Sequence, residues 1–296
     1  MTTAHTSLKV AYGAIHLAAL FFGLAAIFGV LITADALFIT LARALFAALF
    51  LLLILIMRRQ PPLPYRLFQH KTNRRHFLGA ITFLAVHWFS FFIAVKKGGV
   101  AIATLGFASF PAFTLLIECV FINERLSKSD VAAIAFISLG LILINPSISF
   151  QDQSTIGLIW GIISGFSFAF FTFLNRRLSQ QAAPLQIAFG QSLGVFLLSL
   201  PFGWAALGTV SLTDWFWAAL LGIFCTALAH YLIILSLQTL KARHAGIIIA
   251  LEPVYAIIFA ALLFQHYPDM RVILGAALII STIIWSQRQQ QRHSHK

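Results

Sequence analysis

The hydrophobic positions of this chain fall in long blocks rather than stripes. Cutting at polar and Pro/Gly breaks leaves ten apolar segments, approximately 8–32, 36–57, 76–95, 100–122, 129–146, 155–175, 184–204, 213–237, 243–264 and 270–286. A helix needs about 20 apolar residues to cross a bilayer. No segment shows the alternation of a membrane β-barrel strand. A helix, by contrast, satisfies its own backbone where water is absent. The predicted fold is therefore all-α integral membrane, with ten transmembrane helices. The tightest breaks are Thr33-Ala34-Asp35 and Lys96-Lys97-Gly98-Gly99.

Composition extends this picture to the whole chain. Charged residues are 9% of the 296 positions and hydrophobic ones 60%, whereas a soluble domain carries about 25% charged residues. Neither a soluble domain nor a separate signal peptide is expected, since the first apolar run leads straight into further spans. The net charge of +12 would suggest nucleic acid in a soluble protein. Here the basic residues lie between apolar runs, where they set orientation and meet anionic head groups. No polar segment interleaves basic and aromatic residues, so no nucleic-acid partner is expected. With a cytoplasmic N-terminus, 16 Lys and Arg fall in cytoplasmic segments and 3 in outer ones (Lys96, Lys97 and Arg271), with Arg43 inside a span. That asymmetry predicts both termini in the cytoplasm. Cys119 and Cys225 lie inside apolar runs without metal-ligand or redox spacing and read as small buried hydrophobes.

The two halves of the chain resemble each other. "FPAFTLLIECVFINERL" from Phe110 aligns with "EPVYAIIFAALLFQHYP" from Glu252, so that Pro111 meets Pro253. Ahead of them, "VHWFSFFIAV" parallels "AHYLIILSLQ", which relates His87-Trp88 to His230-Tyr231. In the second span of each half, Arg43 stands opposite Gln191. Residues 1–148 and 149–296 thus read as two five-helix repeats. Five is odd, so the repeats point in opposite directions across the membrane. Inverted repeats are a structural signature of secondary transporters.

Three stretches carry a resemblance to a known family. They are "ARALFAAL" with Arg43, "FINERLS" with Glu124, and "SLQTLKARHAGIIIALEPVYA" with Leu251 to Val254. In these the chain resembles the drug/metabolite transporter superfamily, in its EamA-type ten-helix branch. The resemblance implies a bacterial inner-membrane carrier of amino acids, other metabolites or drugs, often moved outward. It also implies a mid-membrane cavity lined by helices 3, 4, 8 and 9, with helices 1 and 6 closing it in turn. One departure is visible: the acidic position of Glu124 falls on His266 in the second half.

The residues that stand out are polar groups inside spans. Glu252 is an intramembrane carboxylate, costly unless it faces protein or a water-filled cavity. It reads either as a site for an amine or a proton, or as a structural carboxylate bonded to Arg43 or a neighbouring helix. Pro253 and Pro111 are expected to kink their helices. His87 and His230 recur in both halves and are candidates for proton or ligand binding, beside Trp88 and Tyr231 as amphipathic walls. Arg43 must have a partner, or snorkel, or bind a substrate carboxylate. Glu118 reads as a pairing or gating group. Gln191, Asn175, Trp160 and His16 read as contacts between helices, and Gly161 and Gly165 as a close-approach face. The 30 Phe read as lipid-facing and core filler rather than a substrate box.

The sequence therefore predicts a secondary transporter of a small metabolite, an amino acid or similar zwitterion, exported by alternating access. Its partners are the bilayer, that substrate and a coupling proton; oligomeric state is left open. No cofactor and no metal are expected, since no ligand cluster or nucleotide motif occurs. The alternatives are a hydrophobic-cation exporter, a non-transporting assembly protein and an intramembrane enzyme.

Overall fold

The computed structural model describes residues 7–63, 68–122, 126–144, 149–204, 207–249, 251–265 and 267–294. Glu124 and His266 lie outside them. The described residues are helical, without strands. In chain order the helices are α1 (Leu8–Leu31), α2 (Ala36–Met57), α3 (Lys71–Phe107), α4 (Phe110–Ile122), α5 (Lys128–Ile144) and α6 (Gln153–Leu178). There follow α7 (Pro184–Gly203), α8 (Leu212–Leu237), α9 (Ala242–Ile249), α10 (Glu252–Phe264) and α11 (Met270–Ser294). Six of them, α1, α2, α3, α6, α7 and α8, are long and apolar enough to cross a bilayer.

Capping residues fix several of the starts. Asp35 accepts from Phe38 N at 2.8 Å, and Asp152 from Ser154 N at 3.1 Å, so short side chains satisfy amides that the first turn leaves open. The outward faces stay apolar: Leu49, Leu53, Ile56 and Met57 of α2 are all exposed. Water would penalise that face, whereas lipid hydrocarbon does not.

The long α3 contains a reversal. Gly99 sits at φ 76° and ψ 176°, a backbone region that belongs to glycine. Phe170 on α6 shows the change of direction. It stacks on Phe83, before the break, at 4.6 Å, and meets Phe121, beyond it, at 5.8 Å. Both limbs pack along α6 through glycines. A Cβ on Gly157 would lie 2.5 Å from Gly98 Cα, and one on Gly161 would lie 2.9 Å from Ala103 O. The close-approach face expected at Gly161 and Gly165 is therefore present, and among the described residues α3 with α6 is the most extensive helix contact.

The two prolines behave differently from expectation. Neither kinks a continuous helix. The chain breaks before each one, and Pro111 and Pro253 are each the second residue of a new helix, α4 and α10. A proline there forfeits no hydrogen bond, because first-turn amides have no intrahelical acceptor. The Pro111 restart packs against α9: a Cβ on Gly246 would lie 2.9 Å from the ring of Phe110.

Candidate functional site

A buried cavity lies among α1, α2, α3, α6, α8 and α10. Its charged and polar walls are Arg43 from α2, His87 from α3, Thr226 and His230 from α8, and Glu252 from α10. Its apolar walls include Trp88 and Phe91 of α3, Phe22 of α1 and Phe168 of α6. The free space inside is about 20 Å³, enough for about one water molecule.

Arg43 reaches this cavity because α2 and α8 pack closely. Ala42, Ala44 and Ala47 are fully buried on α2, and a Cβ on Gly222 of α8 would lie 2.6 Å from Phe46 Cβ. Arg43 is 3% exposed. Its Nε donates to Thr226 Oγ1 at 2.9 Å and its Nη2 to Cys225 O at 3.4 Å. Both acceptors lie in a π-helical stretch of α8, Leu221–Leu228. The wider winding lets Thr226 Oγ1 donate to Leu221 O at 2.9 Å while accepting from Arg43. The guanidinium also stands 4.4 Å above the Trp88 ring and 5.1 Å from that of Phe92, a cation–π arrangement. Arg43 does not snorkel; neutral oxygens and aromatic faces hold it inside the protein.

Glu252 opens α10, where aligned N–H dipoles favour a negative charge. Gly23 on α1 admits this helix end: a Cβ there would lie 2.7 Å from Tyr255 Cβ and 3.2 Å from Glu252 O. Glu252 is 3% exposed. Among the described residues no hydrogen bond or ion pair joins it to Arg43. Of the structural readings of Glu252, a direct bond to Arg43 is therefore not the one seen. A guanidinium and a carboxyl group thus share one cavity without direct contact.

The histidines are tied to neighbouring helices. His87 Nδ1 lies 2.7 Å from Ser164 Oγ on α6, with aromatic neighbours Phe107 and Phe168 at 5.2 and 4.8 Å. His230 Nε2 lies 2.9 Å from Gln191 Oε1, and Gln191 Nε2 donates to Asn175 Oδ1 at 2.9 Å. Since the Gln191 amide nitrogen is committed to Asn175, its oxygen accepts and His230 Nε2 donates. Gln191 and Asn175 are thus contacts between helices, as their positions suggested.

The cavity brings together Arg43, His87, Trp88, His230 and Glu252 and leaves out other candidates. Tyr231 packs half-buried against the core instead. Glu118 and Pro111 are on α4, which contributes nothing to the lining, and Pro253 is buried beside Glu252 without lining it. The expected lining by helices 3, 4, 8 and 9 is corrected: α1, α2 and α6 take part and α4 does not. The dismissal of phenylalanines is corrected for Phe22, Phe91 and Phe168. Cys225 and Thr226 were not singled out for the site. Thr226 precedes His230 by one helical turn, and that spacing is a usable signal.

Two segments, residues 9–145 and 155–287, each match the EamA-like transporter family. An uncharacterized transporter of Helicobacter pylori (strain J99) is 30% identical over 248 residues, 78% of each chain. An uncharacterized transporter of Bacillus subtilis (strain 168) is 29% identical over 67% of this chain and 65% of its own length. The S-adenosylmethionine uptake transporter of Rickettsia conorii is 23% identical over 67% of both chains. A crystal structure of 18% identity superposes with a TM-score of 0.68, covering 95% of this chain and 97% of that one, which shows a shared fold.

Proposed function

Because the chain belongs to the EamA-like transporter family, we propose that it carries a small zwitterion, an amino acid or similar metabolite, across a bacterial inner membrane by alternating access. It is a multi-pass membrane transporter and not an enzyme. The carrying observation is that Arg43 and Glu252 line one buried cavity without bonding to each other. Charges within a membrane seek partners. A zwitterion supplies both, a carboxylate for the guanidinium fork and an ammonium for Glu252. The aromatic walls favour an apolar group between the charged ends. The cavity has room for about one water, so admitting a substrate requires the helices to part.

Ten crossings in two inverted repeats, residues 1–148 and 149–296, give two packings of comparable energy, one open to each side. The family match to each half supports this reading. So do the equivalent helix restarts at Pro111 and Pro253. The Lys/Arg asymmetry supports cytoplasmic termini, and export follows the family resemblance. The relative named for S-adenosylmethionine uptake supports the substrate class, because that compound has an amino-acid head, and it sets import as the competing direction. Glu252 is also the candidate carrier of a coupling proton.

Counterflow of labelled amino acids in proteoliposomes tests the proposal. Glu252→Gln and Arg43→Gln should each abolish exchange while the protein still inserts and folds. Normal exchange in both variants would sink it. A hydrophobic-cation exporter is the second reading, favoured by Glu252 among aromatic rings. It predicts the opposite sign at Arg43: removing that positive charge would raise cation flux.

A further inference from the structure

Beyond the central cavity, two polar clamps occupy opposite ends of the molecule. The first holds the turn between α1 and α2. Asp214, 3% exposed near the start of α8, accepts from Thr33 N at 2.6 Å, Thr33 Oγ1 at 2.7 Å and Ala34 N at 3.2 Å. Lys96, next to the α3 reversal, donates its Nζ to Ile32 O. Three consecutive residues, Ile32 to Ala34, are thus bound by two other helices. The second clamp joins the end of α6 to the end of α8. Arg176 donates to Leu237 O at 2.5 Å and Gln238 O at 3.1 Å, Ser179 Oγ to Leu237 O at 3.2 Å, and Gln180 to Gln238 O at 3.0 Å.

The clamps are counterparts. Each ties the end of the first long helix of a half, α1 or α6, to the third, at the end of the first limb of α3 or at the end of α8. They lie at opposite ends because α6 runs antiparallel to the first limb of α3: Gly157 meets Gly98, and Leu174 meets Gly79. α8 joins them, with Asp214 in one clamp, Leu237 in the other, and Cys225, Thr226 and His230 on the central cavity between.

A second cavity, of about 450 Å³, adjoins the first clamp. Lys96 and Gly99 line it, with Val30 of α1, Val95 of α3 and Ile257 of α10. These positions are one to two turns along the same helices that present Ala25, Phe91 and Glu252 to the central cavity. Between the two spaces α1 closes on α3: a Cβ on Gly29 would lie 2.9 Å from the Phe92 ring and 3.2 Å from Val95 Cγ1.

We infer that Asp214 and Lys96 form the gate of a vestibule, holding α1 against α3 and α8, and that Arg176 with Ser179 forms the opposite gate. Both clamps are formed here, on either side of a central cavity of about 20 Å³. Release of either clamp opens the cavity to that side alone. Asp214 is a positioning residue: it acts on α1 and stands outside the central cavity. The assignment of the gates to transport rests on the carrier reading above; their sidedness does not.

The test uses the full chain with Cys119→Ser, which leaves Cys225 as the single thiol, facing the central cavity. A membrane-impermeant maleimide is applied from each side, in vesicles of both orientations. Asp214→Asn should raise Cys225 labelling from the first-clamp side by about tenfold, as fits the loss of charge-assisted hydrogen bonds, with no rise from the other side. Arg176→Gln should do the reverse. Equal increases from both sides would mean general loosening and would overturn the inference, as would no change. Should Asp214→Asn not fold, Lys96→Gln, which removes the Nζ donor of the same clamp, should raise Cys225 labelling from that side alone; no change, or an equal rise from both sides, overturns the inference. Labelling needs no substrate, so a failed flux assay with Glu252→Gln and a failed gate are separate results.

Discussion

Arg43 on α2 and Thr226 on α8 are 183 residues apart in sequence and joined by a 2.9 Å hydrogen bond. Thr226 passes the bond on to Leu221 O within the π-helical stretch. This chain sets the direction of the guanidinium. Thr226→Val keeps the shape and removes the acceptor, leaving a buried charged donor short of a partner. It should lower stability by about 1–3 kcal/mol, seen as a lower unfolding temperature in detergent. An unchanged transition would show that Arg43 finds another partner without cost.

Gln191 holds His230 and Asn175 together. Gln191→Leu should strand both groups and cost about 1–3 kcal/mol. Gln191→Glu should cost less, because it still accepts from His230. Thermal denaturation of the two variants side by side checks the order.

The glycines of the α3–α6 contact admit backbone, not side chains. In Gly157→Ala the new methyl would meet Gly98 Cα and N at 2.5 and 2.6 Å. These backbone atoms cannot rotate aside, so a loss of about 1–3 kcal/mol is expected. Gly13→Ala on α1 meets nothing within 4 Å and should be neutral or stabilising by up to about 1 kcal/mol. The difference between the two unfolding temperatures is the measurement.

Gly99 tests the reversal. A Cβ there meets nothing within 4 Å, but the φ of 76° is strained for any L residue. Gly99→Ala should destabilise by about 1–3 kcal/mol through the backbone alone. A stability equal to that of the unaltered protein would mean that the chain turns elsewhere.

Trp88 underlies the Arg43 guanidinium at 4.4 Å. Trp88→Leu should weaken retention of the charge by about 0.5–2 kcal/mol and raise the KM for a zwitterionic substrate more than Trp88→Phe does. Equal KM values for the two variants would remove the ring from the site.

Much of the fold was legible because a bilayer imposes its own period. Apolar blocks near 20 residues and the lysines and arginines between them need no tertiary information. The resemblance of His87-Trp88 to His230-Tyr231 pointed to three residues that do reach the cavity, both histidines and Trp88. It misled for Tyr231, because alignment gives register and not the direction of a side chain within a packed bundle. Pro253 was misjudged for a related reason: from sequence alone a proline inside an apolar run reads as a kink, yet the same residue fits a helix restart.

By itself the sequence determined an all-helical membrane chain, its family and the rare polar residues that the membrane makes expensive. Only the tertiary structure decided which of them meet. Arg43 takes Thr226 and Cys225 as partners, Glu252 faces the same cavity without bonding to Arg43, and phenylalanines indistinguishable in sequence divide into lipid-facing, core and cavity groups. The physical reason is that hydrophobic burial is non-directional and can be read by counting. Hydrogen bonds and close helix contacts depend on crossing angles and on where glycines let backbones approach, and those are fixed only when all the helices have packed.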